Sequence, residues 1–466
     1  MIIIGAGPAG LTAAHELAIR NVYPLVLEQS DKPGGLARTE VHWGYRFDIG
    51  GHRFFTKVDE VRRLWEEILG EEFVAVSRQS RIYYQGRFYS YPLQPLNALS
   101  NLGVIESCRV MLSYFKSKLR PHPDEDTFEQ WVTNRFGGRL YETFFKTYTE
   151  KVWGIPCDRI QADWAAQRIR GLSLWSAVVN ALFKTGKVKS LITEFQYPRE
   201  GPGMMWEAFC RDATRRGGQV EFEAEVIEVQ HRDNRVIGVL VHVDGRTAEY
   251  STDQVISTMP LNLLVSRLNP PPPSEVLEAA GRLRYRDFIL VGLVINRKEI
   301  FPDNWIYVHS PEVLVGRIQN FKNWSPDMVP DPSKTSLGME YFCTQGDLIW
   351  ARSDKELVEL AMRELVTLGL ADKAEVQDGV VIRQLKAYPV YTGEYRHDVD
   401  IIKKYLDTIE NLQTIGRNGM HRYNNQDHSM LTAMLAVENM DGAQHDLWAV
   451  NTERSYHEES MKHDSA

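Results

Sequence analysis

The chain has 466 residues, with 54 basic against 62 acidic side chains and a formal net charge of −8. This length exceeds one ordinary hydrophobic core and predicts about two or three domains, while the acidic balance excludes a nucleic-acid binder acting through a broad basic face. Cys108, Cys157, Cys210 and Cys343 are scattered without C-x-x-C spacing, which fits a reducing compartment and no metal site. No apolar run reaches the roughly 18 residues of a membrane span. The first residues already read as a strand, so the expectation is a cytoplasmic protein without a targeting segment.

That first strand runs through Met1-Ile-Ile-Ile into Gly5-Ala-Gly7-Pro8-Ala9-Gly10, a G-x-G-x-x-G turn, with residues 11–19 as the following helix. Gly5 allows the tight turn, Gly7 lets backbone approach a pyrophosphate, and Gly10 lets helix and strand pack closely. Residues 22–27 read as the second strand. Glu28 ends it, where a carboxylate accepts hydrogen bonds from an adenosine ribose.

A second glycine-rich loop follows, Gly34-Gly35-Leu36-Ala37-Arg38, and then Gly50-Gly51-His52-Arg53-Phe54-Phe55. A nicotinamide domain needs neither loop. A flavin domain needs extra backbone and an arginine over the pyrophosphate and ribityl chain. The run resembles the FAD-binding amine-oxidase-like superfamily, which makes FAD the expected cofactor.

From residue 95 to 186 the pattern turns helical. Thr127-Phe-Glu-Gln130 is a capping box, Gly137-Gly138 breaks the chain, and further helices are expected at 140–148, 163–170 and 172–183. The last of these reads as buried, a membrane-surface patch being the alternative. Strands at 226–229, 236–243 and 248–250 form a meander through Asp233-Asn234 and Asp244-Gly245 turns, and 255–259 returns to the parallel sheet. Pro270–Pro273 marks a linker. Strands are then expected at 288–295, 305–308, 313–318, 337–342 and 380–387, with a helix at 354–368 between the last two. A final strand at 412–415 leads to a helix over 426–440.

The expected fold class is α/β: a Rossmann-type FAD-binding domain assembled from discontinuous segments, an inserted helical domain and an antiparallel sheet substrate domain. The FAD-binding parts are 1–90, 191–262 and 396–450, the helical domain 91–190, the substrate sheet 263–395, and 451–466 a polar tail.

Several segments resemble the UDP-galactopyranose mutases, most closely the longer, eukaryotic-type branch. They are Gly50-Gly51-His52-Arg-Phe-Phe55, Tyr91-Pro-Leu-Gln94, Thr127-Phe-Glu-Gln-Trp131, Lys151-Val-Trp153, Trp164-Ala-Ala-Gln-Arg168, Trp305-Ile-Tyr307, Arg317…Asn323-Trp-Ser-Pro326, Ala387-Tyr388-Pro389 and Gly416-Arg417…Arg422-Tyr423-Asn-Asn425-Gln426-Asp427-His428-Ser429. The resemblance implies interconversion of a nucleotide-linked pyranose and furanose. Reduced FAD supplies its N5 as nucleophile at the anomeric carbon, the diphosphate leaves and returns, and no net redox occurs.

It also implies roles. Arg168 and Arg317 hold the diphosphate, with Tyr388, Tyr423 and Asn425 as donors to it. His52 lies against the flavin and counts with Arg168 and Arg317 as catalytic. Trp305 and Tyr307 stand near sugar and nucleotide, Phe55, Tyr91 and Gln94 form the nucleoside wall, and Trp153 joins the substrate-binding set. Gly5, Gly7, Pro8, Ala9, Gly10, Glu28, Gly34, Gly35, Leu36, Ala37, Arg38, Gly50, Gly51, Val226, Met259, Gly416, Arg417, Asn425, Gln426 and Ser429 are the expected cofactor contacts. The partners are a nucleotide sugar and an electron source, NAD(P)H or a reductase; a homo-oligomer is compatible with the sequence.

Each position has a structural alternative. Arg168 fits a solvated helix face, Arg317 a pair with a local carboxylate, His52 a backbone partner, and Trp305 and Tyr307 the core. The sequence departs from the mutases at Thr149, where they carry an asparagine, around Phe195-Gln-Tyr-Pro198, in a shorter loop between Tyr423 and Asn425, and at Arg53. An FAD oxidoreductase of the amine oxidase, protoporphyrinogen oxidase or desaturase type is the other enzyme reading; a flavin-bound scaffold without turnover is a third.

Overall fold

Ile2–Ile4 is fully enclosed because it lies in the middle of a five-stranded sheet, with Val255–Ser257 and Leu412–Thr414 on one side and Leu25–Leu27 and Gln219–Glu221 on the other. Every pairing in it is parallel. A parallel strand covered on both faces reads as a continuous apolar run, which is what Ile2-Ile3-Ile4 is. Three widely separated stretches supply these strands, so the dinucleotide domain is discontinuous. The computed structural model describes residues 1–91, 93–162, 194–391 and 393–451. The expected helices at 163–170 and 172–183, and Arg168 with them, lie outside the described residues.

The helix after the turn begins at Pro8 and ends at Ile19, earlier than expected, because Pro needs no N–H partner in a first helical turn. The second strand starts at Leu25 rather than 22. Asn21 turns the chain at φ 61°, Val22 donates back to Leu17 O, and Pro24 has no N–H for a ladder. The meander forms as expected over Glu225–Arg232, Arg235–Val243 and Arg246–Ser251. Its turns, Asp233-Asn234 and Asp244-Gly245, carry the paired positive φ of two-residue hairpins.

A seven-stranded sheet is ordered Val376–Val390, Arg284–Ile295, Thr335–Cys343, Arg317–Asn320, Trp305–Val308, Ser80–Tyr84, Arg87–Ser90. Its ladders are antiparallel except the one between Trp305–Val308 and Ser80–Tyr84. Residues 80–90, expected with the dinucleotide-binding part, therefore belong to this sheet as a hairpin. Its turn, Gln85-Gly86 at φ 48° and 75°, is a hairpin signal that the sequence reading passed over. The expected strand 313–318 shrinks to Arg317–Asn320. The Leu314 and Val315 N–H groups go to the Glu364 carboxylate (2.6 and 3.0 Å) and not to a ladder.

The helical part contains Pro95–Leu102, Val104–Leu119, Phe128–Phe136 and a run from Gly138 to Trp153 with a π-turn at Glu142–Lys146. The Thr127–Gln130 capping box is present. Gly137 has to be glycine: its φ is +85°, and a Cβ would lie 2.8 Å from the Tyr114 backbone. The helices Asp354–Thr367 and Gln426–Met440 form where the pattern put them, the first with a Ser353–Glu356 capping box. The hairpin Thr39–His42/Tyr45–Asp48 lies over one face of the large sheet, burying Tyr45 and Phe47 with Phe288, Leu290 and Phe321. That packing brings the glycine loops of the parallel sheet to the side chains of the antiparallel one.

Candidate active site

The dinucleotide turn has the close approaches its glycines predict. Gly5 has φ +99°, and a Cβ on Gly10 would lie 1.9 Å from Gly5 O, so strand and helix meet without side-chain space. Gly7 precedes helix Pro8–Ile19 with no side-chain cap and no acidic residue in the first turn. That helix end is ready for an anion. The second loop crosses directly over it: Gly34 N–H donates to Ala6 O (2.8 Å), and a Cβ on Gly35 would lie 3.3 Å from Gly7 Cα. Gly416 closes the third side, with φ +84° and 3.0 Å from its Cβ position to Ala9 Cβ.

Backbone from three loops thus forms a cradle that side chains would fill, which fits the pyrophosphate of a dinucleotide. Leu36 is half-buried and Ala37 buried beside it. Glu28 is buried; one oxygen accepts from Ala6 N–H (2.6 Å) and the other from Ser30 N–H and Oγ (2.9 and 2.7 Å). A carboxylate has about four lone-pair sites, so acceptor capacity remains for ribose hydroxyls. Arg38 is fixed by Glu40, Gly35 O and Gln384. Val226 and Met259 are buried in one apolar cluster with Ile2 and Ile4.

A second group gathers around Gly50, which has φ +90°. Its Cβ position lies 3.6 Å from Arg317 Nη2, 3.9 Å from the Tyr388 hydroxyl and 4.0 Å from His52 Nε2. A guanidinium, a phenol and an imidazole therefore surround one glycine whose backbone is bare, with Gly51 next in the loop against Trp324. His52 Nε2 lies 2.9 Å from Ile49 O, so the neutral ring carries its proton there. The residue as a whole is half-buried. Burial, with the Arg417 and Arg317 charges adding to it, pushes the His52 pKa down to about 4. The imidazole is neutral at physiological pH.

Arg317 has the local carboxylate that its structural alternative anticipated. Its Nε donates to Glu340 (2.5 Å), and Gln319 donates to the other oxygen of Glu340 (2.6 Å). Glu340 has no exposed surface. Burial disfavours the Arg317 cation, and the Glu340 charge outweighs it, holding Arg317 charged and well above its usual pKa. The Nε edge is taken, while Nη2 faces Gly50.

Tyr388 and Tyr423 stack at 5.7 Å and 12°, and the Arg417 guanidinium lies 4.6 Å from the Tyr423 ring centre. Arg417 is anchored by Asn424 O (2.8 Å) and Ala387 O (3.1 Å). Burial raises the Tyr388 pKa, which keeps its hydroxyl a donor. On the other flank Tyr307 is half-buried between Tyr91 (4.7 Å) and Tyr148 (5.5 Å). Tyr91 is exposed, Phe55 half-buried, and Gln94 caps helix Pro95–Leu102 through its carbonyl.

Three expected contacts have structural partners. Trp305 is buried and stacked on Trp324 (5.3 Å), with Arg53 and Arg78 over its face. Trp153 is buried in the helical core, with its ring near Tyr391. Gln426 is buried and accepts from Trp206 Nε1 (2.9 Å). Asn425 is exposed and caps the last helix, and Ser429 is buried one turn inside it.

The sequence reading missed Tyr148, His309, Glu340 and Gln319. Tyr148 stacks on His309 (4.8 Å, 8°). Burial, aided by the Lys151 charge, pushes the His309 pKa down to about 3. Lys151 itself donates to Val308 O, Ser310 O and Val315 O, fixing the loop under that stack. Glu340 had a signal: it is the one charge in the apolar strand Thr335–Cys343, and a buried charge needs a partner.

The model of the flavin containing amine oxidoreductases matches residues 8–409. A coproporphyrinogen III oxidase of Mycobacterium leprae is 25% identical over 413 residues, covering 84% of this chain and 87% of that protein. A 1-hydroxycarotenoid 3,4-desaturase of Flavobacterium is 24% identical, covering 51% and 52%. Among solved structures, a reduced UDP-galactopyranose mutase superposes with a TM-score of 0.84 at 21% identity over 97% of both chains. A putative protoporphyrinogen oxidase from Exiguobacterium gives 0.70 at 17% identity, over 94% of this chain and 98% of that one. Among the described residues no helix is long and apolar enough to cross a membrane. With the match spanning most of its length and the glycine cradle in place, the chain belongs to the flavin containing amine oxidoreductase family, and FAD is its cofactor.

Proposed function

We propose that the protein is an FAD-dependent nucleotide-sugar pyranose/furanose mutase acting without net redox. The observation that carries this reading is the polar wall facing Gly50. Arg317 is held by buried Glu340 with Nη2 toward the glycine, and the Tyr388 hydroxyl, the Tyr388–Tyr423 stack and Arg417 stand beside it. Reduced FAD, when bound, supplies the nucleophile for the anomeric carbon.

The chain's own residues then have defined tasks. Arg317 takes the charge of the departing diphosphate; its preset orientation avoids reorganisation as charge develops. Tyr388 and Tyr423 donate to the same oxygens. Arg168 is the second arginine fork in this reading. Neutral His52 contributes no charge to compete for the diphosphate and holds the Gly50–Gly51 backbone through Ile49 O. Tyr307 and Tyr91 give the nucleoside an aromatic face.

The second reading, an oxidase or desaturase, is favoured by the named functions of the sequence relatives. Such chemistry wants an apolar channel over the flavin, whereas the described wall is charged and phenolic. Fold likeness serves both readings equally. The test is to reduce the holoenzyme with dithionite and supply UDP-galactofuranose under anaerobic conditions. The mutase reading expects the pyranose to form while the flavin stays reduced. No conversion, together with oxygen-dependent turnover of a porphyrinogen, would overturn it in favour of an oxidase.

A further inference from the structure

Among the described residues, helix Val104–Leu119 presents two apolar faces, of which only one is packed. Val110 and Tyr114 point into the helical core. On the far side Val104, Ile105, Leu112, Phe115 and Leu119 are exposed, Val104 and Leu119 by 81% and 83%. At 100° per residue these five, with exposed Cys108, fall within one stripe about 100° wide. Arg109, Lys116 and Arg120 border one edge of the stripe and Lys118 the other, all exposed. The helix has one acid, Glu106, which is engaged by Arg139 and Arg109.

We propose that this face docks the protein on an anionic lipid surface. An apolar ridge flanked by lysine and arginine, lying along a helix too short and too charged to span, is the pattern of an in-plane interfacial helix. Charge selects the occupant. The chain as a whole carries −8, yet the edges of this helix carry Arg109, Lys116, Lys118 and Arg120 against the single helix acid Glu106, which pairs with Arg109, and the attraction is to phosphate-bearing headgroups. A second copy of the chain would bring the same cations to one interface without an acidic row on the helix to answer them. The proposal is independent of the mutase reading: it concerns where the enzyme sits, not what it converts.

The holoenzyme is sedimented with vesicles of phosphatidylcholine alone and with about a third phosphatidylglycerol. Binding is expected only to the second, weakening as salt is raised through roughly 0.5 M. Lys116→Gln with Arg120→Gln should lower the partition coefficient about thirtyfold, and Leu112→Ser with Leu119→Ser about a hundredfold or more. All four positions are exposed, so the thermal midpoint should hold. A polarity-sensitive dye on Cys108, the exposed cysteine, placed in a Cys210→Ser background because Cys210 is half-buried while Cys157 and Cys343 are buried, should shift to the blue on the anionic vesicles. Absence of binding to anionic vesicles at low salt overturns the proposal. So does a dimer that Leu112→Ser with Leu119→Ser dissolves while the vesicle fraction stays empty, since that outcome makes a second copy the occupant.

Discussion

Arg317 and Glu340 face each other across adjacent antiparallel strands, and their side chains close at 2.5 Å with Gln319 on the second carboxylate oxygen. The acid is fully buried, and the Nη2 of the cation faces Gly50. Removing the acid leaves a cation in a site that burial makes costly, about 3–5 kcal/mol for a broken buried pair. Glu340→Gln is therefore expected to lower the thermal midpoint and to release the guanidinium from its orientation. Arg317→Lys keeps the charge and loses the fork, at a cost of about 2 kcal/mol in the transition state, or roughly thirtyfold in kcat/KM. Steady-state kinetics beside a melting curve separates the two: a lysine variant with wild-type kcat/KM would refute the diphosphate role.

Gly35 occupies the left-handed region at φ +53°, and its Cβ position lies 3.3 Å from Gly7 Cα. Alanine there strains the backbone by about 1–2 kcal/mol and fills the space between two loops of the cradle. Gly35→Ala should purify with much less bound flavin, read from the ratio of 450 to 280 nm absorbance as a decrease of about tenfold in FAD affinity. Retention of full flavin would mean that the pyrophosphate does not pass between Gly7 and Gly35.

The dinucleotide cradle was legible in the sequence because its physics is local. Gly10 meets Gly5 O and Gly34 meets Arg38 within a few residues, and Gly5 takes its positive φ at its own turn, whereas the approaches of Gly35 to Gly7 and of Gly416 to Ala9 are set by the fold. The meander and the last helix were legible for the same reason: turn residues and periodicity act over short spans. The arginine–carboxylate pair was not. Arg317 and Glu340 meet only because two strands align in one register, and no spacing in the chain encodes that alignment. Trp305 illustrates the opposite limit. Its residue type suits a ligand wall or a core, and only the fold shows it buried and stacked on Trp324.

Tyr388 and Tyr423 form a stack that Arg417 covers, so their hydroxyls can be removed without removing the rings. Tyr388→Phe and Tyr423→Phe should keep the melting temperature and bound flavin. Each is expected to lower kcat/KM for a nucleotide sugar about tenfold, the value of one hydrogen bond to a charged group. An oxidase acting on an apolar substrate would be indifferent to both changes or improved by them. Kinetics on the two phenylalanine variants thus tests the reaction class as well as the residues.

Two buried groups give stability opposite pH dependences. His309 has its pKa depressed to about 3 by burial and by the Lys151 charge. Between that value and the ordinary histidine range near 6.5 the unfolded chain binds more protons. Its contribution is therefore present above about pH 6.5 and lost as pH falls toward 3. Asp48 is buried, hydrogen-bonded to Tyr197 and Thr39, and burial raises its pKa to about 7. The folded state binds the extra proton here, so its contribution is present below about pH 4 and lost as pH rises through 7. Asp48→Asn removes that loss, so the variant's midpoint should climb relative to wild type from pH 5 to 8 and then level off. His309→Gln should flatten the decline of stability between pH 6.5 and 4. Thermal melts across this range decide both, and an Asp48→Asn difference that does not change with pH would mean that the Asp48 carboxyl is ionised in the folded protein.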